Sequence, residues 1–138
     1  LQIIDFQPAT DGTDCRIRFY ESGVEESSSV YQFAFQYNTS GGGQEVKDTS
    51  ESYLRATFNT GNSTNEKAHS YNYFFNLGNS SKYSFQTMQT VLTNNNTDFN
   101  VAFGGGVLPQ ASTVDQIKLF NGSGNFSCTA KLYGVKQI

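Results

Sequence analysis

The chain has 138 residues, with twelve Phe, eight Tyr, no Trp, a formal charge of -3 and only 15% charged residues. That length suits one domain with an ordinary core. The acidic balance excludes a non-specific nucleic-acid binder and a polybasic membrane-surface segment, and no apolar run approaches the roughly 20 residues of a membrane span.

Aromatic and β-branched residues come in short runs divided by Asn, Gly, Ser and Thr, the pattern of an all-β domain. Residues 1–6 read as a short strand, followed by a Pro8-Ala9-Thr10-Asp11-Gly12 turn. Residues 14–20 alternate cleanly, and 21–29 form an acidic, Ser-rich loop. Residues 30–37 are a strand with Tyr31, Phe33, Phe35 and Tyr37 on one face. Residues 38–50 read as a long polar loop around Gly41, Gly42 and Gly43, 53–58 as a strand, and 59–67 as a further loop. Strands over 70–77 and 82–92 form a hairpin around Gly78-Asn79-Ser80-Ser81, with Tyr71, Tyr73 and Phe75 making a stripe like the earlier one. After a loop at Asn94, Asn95 and Asn96, a strand over 99–103 is broken by Gly104, Gly105 and Gly106. Strands over 114–120 and 127–133 finish the domain. About nine strands without a helix predict an antiparallel β-sandwich, jelly-roll-like, as one domain over residues 1–138. No repeat of 20 to 50 residues points to a propeller or solenoid.

Two cysteines make no disulfide framework. Cys15 is in phase with Ile17 and Phe19, and Cys128 with Ala130 and Leu132, so both read as reduced thiols facing the core. One bridge joining the first and last long strands is the alternative.

Catalytic chemistry finds little to build on. His69 is the only histidine, and no Gly-x-Ser-x-Gly elbow accompanies it. One His and two core-facing Cys fall short of a zinc ligand set. The carboxylates lie mostly in turns and loops, and Glu25-Glu26 reads as a solvated pair rather than a glycosidase dyad. Asp11-Gly12-Thr13-Asp14 resembles part of a calcium loop but lacks the later ligands, so it reads as a capped Gly turn. Neither Gly run opens a helix or precedes Gly-Lys-Ser/Thr, so neither cradles phosphate. The expectation is no enzyme, no cofactor and no metal.

Binding is the live possibility. Tyrosine rings stack on the C–H faces of sugars while amides bond the hydroxyls, and Tyr31, Tyr37, Tyr53, Tyr71 and Tyr73 are the candidate ligand contacts. The competing reading puts the two stripes in the core, with tyrosines at their ends where the hydroxyl reaches water. Loops 21–29, 38–50 and 59–67 are further candidates, since loops on a rigid scaffold carry recognition.

The final stretch, IKLFNGSGNFSCTAKLYGVK over 117–136, is two alternating runs around a Ser-Gly-Asn turn, either a hairpin or a pair of sandwich strands. Together with FQPATDGTDCRIRFY at 6–20 and FNLGNSSKYSF at 75–85, it resembles, in order, a β-rich module of tailed-bacteriophage tail-fibre and other virion-surface proteins. Asp14, Cys15 and Cys128 depart from that pattern. The resemblance implies a virion-surface location, assembly in the bacterial cytoplasm with reduced thiols, and attachment to a host-surface glycan or protein. It implies a homotrimer contacting copies of itself and other virion proteins, with no nucleic acid and no membrane insertion. A start in apolar LQIIDF without Met fits a C-terminal module or fragment of a longer virion protein. The alternatives are a structural capsid or tail decoration protein, a secreted carbohydrate-binding module attached to an enzyme, and, least, a small glycoside-active enzyme.

Overall fold

Period-2 alternation carries residues 1–135, the part of the chain that this computed structural model describes, into eleven strands and no helix. In chain order they are β1 (Gln2–Pro8), β2 (Cys15–Glu21), β3 (Val24–Glu25), β4 (Tyr31–Thr39), β5 (Gly42–Glu51), β6 (Leu54–Arg55), β7 (Ala68–Phe75), β8 (Ser84–Thr93), β9 (Phe99–Leu108), β10 (Val114–Asn121) and β11 (Phe126–Lys131). Seven form a sheet in the order β11-β1-β7-β8-β9-β4-β5. The second sheet has β10 along one edge of β2 and the short β3 and β6 along the other. All pairings are antiparallel, and the fold is the β-sandwich that the sequence predicts.

Two strands exceed the expected nine. β5 replaces most of the polar loop expected at 38–50, and β3 lies inside the loop expected at 21–29. β5 is an exposed edge strand with Glu45, Lys47 and Asp48 along it, and such charges deter edge-to-edge pairing while hiding the strand from a hydrophobic reading. The strand expected over 53–58 shrinks to β6. Gly104, Gly105 and Gly106 do not end β9; the strand runs on through them, paired with β8 and β4 at once. The closing runs are sandwich strands, since β10 joins β2 and β11 joins β1. Lys136, the last residue of the closing motif, lies outside the described residues.

The core forms where the inward rows of the two sheets meet. Cys15, Ile17 and Phe19 of β2 pack with Tyr31, Phe33 and Phe35 of β4, and with Leu54, Met88, Ala102 and Leu108. β1 reaches this core by a phase change. Asp5 has φ 54, and the register shifts there against both neighbours, a β-bulge. Ile3 and Phe6, three apart, therefore both point inward.

Both cysteines are free. Cys15 is fully buried, whereas Cys128 is only half-buried at the core margin. Ala130 and Leu132 are exposed, which corrects the expected inward row on the last strand: β11 is an edge strand and its end runs past the packed region. Burial pushes both thiols upward, Cys15 further through Cys128 and Asp14 beside it.

Tyr31 closes a gap in the small sheet. Its hydroxyl accepts the Phe19 N–H at 3.0 Å and donates to the Glu26 carbonyl at 3.1 Å, beyond the end of short β3. Burial raises the phenol to about 12, so it stays a donor. Replacing Tyr31 with Phe strands a buried backbone N–H, and the expected loss is about 1–3 kcal/mol, read as a lowered urea midpoint at unchanged slope.

Glu25 and Glu26 are not a solvated pair. Glu26 binds Gln110 and the Ser28 backbone and hydroxyl. Glu25 receives Lys118 at 2.8 Å, Arg18 at 2.9 Å and the Tyr20 hydroxyl at 3.1 Å. Lys118 first and Arg18 next hold its carboxyl down at about 2. A depressed carboxyl contributes stability above its unfolded value of about 4.3 and loses it as the pH falls through the folded value. Glu25→Gln is therefore expected to cost roughly 1–2 kcal/mol at neutral pH. In urea titrations the gap to wild type should close between about pH 4.3 and about 2; a gap constant with pH contradicts the assignment.

Candidate functional site

On β7 and β8 the outer face of the large sheet is more aromatic than the inner face beneath it. On β7, Ala68, Ser70 and Asn72 point inward, while Tyr71, Tyr73 and Phe75 point out, 53%, 61% and 49% exposed. On β8, Ser84, Gln86, Met88, Thr90 and Leu92 point inward, and Phe85, Thr87, Gln89 and Val91 point out. The stripe at Tyr71, Tyr73 and Phe75 is thus not core. Apart from Ser84, whose hydroxyl has no partner among the described residues, the inward polar side chains of β7 and β8 are satisfied: Asn72 donates to Ser70 Oγ at 2.8 Å, and Gln86 donates to Asn72 Oδ1 at 2.8 Å and to the Arg55 carbonyl at 2.9 Å. Thr90 donates to the His69 carbonyl at 3.0 Å. Such a network tolerates burial because its members find partners.

Strand register arranges the outward side chains in rows across the sheet. One row is Phe75, Phe85, Val107 and Gln32. The next is Tyr73, Thr87, Gly105, Ala34 and Lys47, and the third is Tyr71, Gln89, Phe103, Gln36 and Glu45. The middle row has the shortest side chains. It becomes a trough of about 510 Å³ floored by Ala34 and Gly105, with Phe85, Val107 and Gln32 along one side and Lys47 and Thr49 at one end. From Tyr73 on β7 to Lys47 on β5 the row spans about 19 Å by strand spacing.

Gly105 makes the floor possible. A Cβ there would sit 2.2 Å from the Gln86 carbonyl, and one on Gly104 would sit 2.3 Å from the Ala34 carbonyl. The glycines are needed for close strand approach, not for a break in the strand.

The five candidate tyrosines separate. Tyr71 and Tyr73 share this face. Tyr31 is in the core. Tyr53 is buried under Arg16, whose guanidinium lies 4.0 Å from the ring centre. Tyr37 is half-buried on the inner side of β4, its hydroxyl 2.5 Å from Gln44 Oε1. Phe85 and Phe103 complete the outer face and were not singled out by sequence reasoning. The 82–92 hairpin was the available signal, because it sets Phe85 beside Phe75.

Chemically the three rows carry no charge except Glu45 and Lys47 on edge strand β5, which pair at 3.1 Å. Aromatic rings alternate with amides and a hydroxyl, so the face offers apolar planes and neutral hydrogen-bonding groups together. Among the described residues no three His, Cys, Asp or Glu side chains gather to hold a metal. The chain matches no protein-family model, no curated protein and no solved structure. Closing the trough floor gives a direct check: Gly105→Ala is expected to destabilise by roughly 2–3 kcal/mol. Gly78→Ala, where nothing lies within 4 Å of the new Cβ, should change stability by under about 0.5 kcal/mol.

Proposed function

We propose that this domain is a non-enzymatic module of a virion-surface protein, attaching to a host-surface glycan through the outer face of its large sheet. The observation that carries the reading is the face, charged only along edge strand β5, in which Tyr71, Tyr73, Phe85 and Phe103 alternate with Thr87, Gln89 and Gln36 around a cross-strand trough. An exposed aromatic surface of this extent marks a binding site on a soluble domain. Sugar rings present C–H planes to aromatics and hydroxyls to amides, so a neutral polysaccharide laid along the trough meets both. The sequence resemblance to tail-fibre modules supplies the setting, and a trimer of such domains gains avidity from modest sites.

A second reading, structural decoration of a capsid or tail, is favoured by the inside-out polarity of β7 and β8. In that reading the same face is covered by copies of the chain. One pair of variants separates the two. Tyr73→Ala and Phe85→Ala remove exposed rings, so their urea midpoints should match wild type. On an array of bacterial envelope polysaccharides they are expected to lose at least about tenfold in affinity, as for central aromatic contacts. Sedimentation of the same variants reports the other outcome: an oligomer that becomes monomeric, with no polysaccharide bound by wild type, assigns the face to assembly.

A further inference from the structure

A second concave surface lies on the opposite, inner side of β4 and β5. There the sheet is closed by the Phe58–Asn59 turn and by Asp14 and Asn94, leaving a cavity of about 430 Å³, within the range of small-molecule sites. One wall is aromatic: the Tyr37 and Phe58 rings are 4.7 Å apart, with Phe35 behind Phe58 at 5.6 Å. The rest of the lining is rich in amides, from Gln44, Asn59, Asn94 and Asn100.

The carboxylate at this cavity is committed. Asp14 Oδ2 takes Arg55 at 2.9 Å and Arg16 at 3.2 Å, and Asp14 Oδ1 accepts the Asn59 N–H at 3.1 Å. Asp14 therefore offers no free charge to a cation. Two groups are exceptions to this economy of partners: Arg55 Nε is buried without an acceptor, and Asn100, 1% exposed, has an Oδ1 that receives no hydrogen bond from any described residue. A buried amide without a partner is rare in folded proteins and needs a reason. At the rim Asn59 holds φ 41, in the left-handed region that Asn takes more readily than other residues with a Cβ. Unmatched buried polar groups gathered at one cavity are the mark of a site shaped for a ligand rather than for stability.

We propose that this cavity binds a single neutral sugar residue, independently of the outer face. An aromatic wall on one side and amides on the other match one ring with a C–H plane and a hydroxyl rim. The Tyr37–Phe58 wall takes the plane. Tyr37 already donates to Gln44 Oε1, which leaves Gln44 Nε2 to donate to a hydroxyl. The Asn100 carboxamide on the floor pairs with another.

The test is a titration of the ¹⁵N-labelled chain with glucose, galactose, mannose and N-acetylglucosamine, each to about 50 mM, a range that registers millimolar dissociation constants. At least one sugar is expected to shift the side-chain amides of Gln44, Asn59 and Asn100. Asn100→Leu and Gln44→Ala should each weaken that sugar by about tenfold or more, while Tyr73→Ala on the outer face leaves it unchanged. Asn100→Leu removes the unmatched amide and should melt no lower than wild type; should it fold poorly, the exposed Gln44→Ala decides alone. No shift at these amides with any of the four sugars overturns the proposal. So do shifts that survive Gln44→Ala, or that vanish with Tyr73→Ala.

Discussion

One side chain fixes which way the large sheet faces. Gln86 sends its amide N–H groups to Asn72 on the neighbouring strand and to the Arg55 backbone of the small sheet. That ties the two layers together through a polar bond in the middle of the sandwich. A strand slipped by one residue would turn every side chain over. Here a slip would bury Phe85 and expose Gln86, exchanging apolar burial for a lost network. On β7 and β8 the protein takes the polar side inward, and the aromatic outer face of those strands follows from that choice.

The choice explains what could and could not be read from the sequence. Alternation at Tyr31, Phe33, Phe35 and Tyr37 and at Tyr71, Tyr73 and Phe75 looks the same on paper. The first stripe faces the core and the second faces away. Period 2 gives the spacing of a face but not its direction. Direction is set by contacts such as Gln86 with Arg55, 31 residues apart. Strand positions, the sandwich class and the hairpin joining β7 to β8 were legible because they rest on local pattern and turn chemistry. Edge strand β5 was not, since only Val46 along it is apolar and half-buried. Gly104, Gly105 and Gly106 misled because the same residue type serves turns and close strand approach.

The candidate site was half legible. Tyr71 and Tyr73 were singled out for their ring chemistry, and both stand on the outer face. Their partners Phe85 and Phe103 come from strands that meet them only through register. β4 serves both concave surfaces at once. Ala34 and Gln36 face the trough side while Phe35 and Tyr37 face the inner cavity, so one strand position sets the shape of two surfaces. Asp14, a departure from the tail-fibre pattern in the sequence, is here the buried carboxylate that locks Arg16, Arg55 and the Asn59 backbone beside that cavity.

The position of β1 has a consequence for how the chain comes into being. β1 lies between β7 and β11, so a strand made early in this domain is bordered by one made late. Until β11 emerges, β1 can hold at most one neighbour and keeps an open edge lined by Ile3 and Ile4. Sheet completion is therefore a late event in synthesis, with long loops to close before the reward of pairing arrives. In a crowded polysome, that exposed edge is the segment most in need of shielding by a chaperone or by swift arrival of β11.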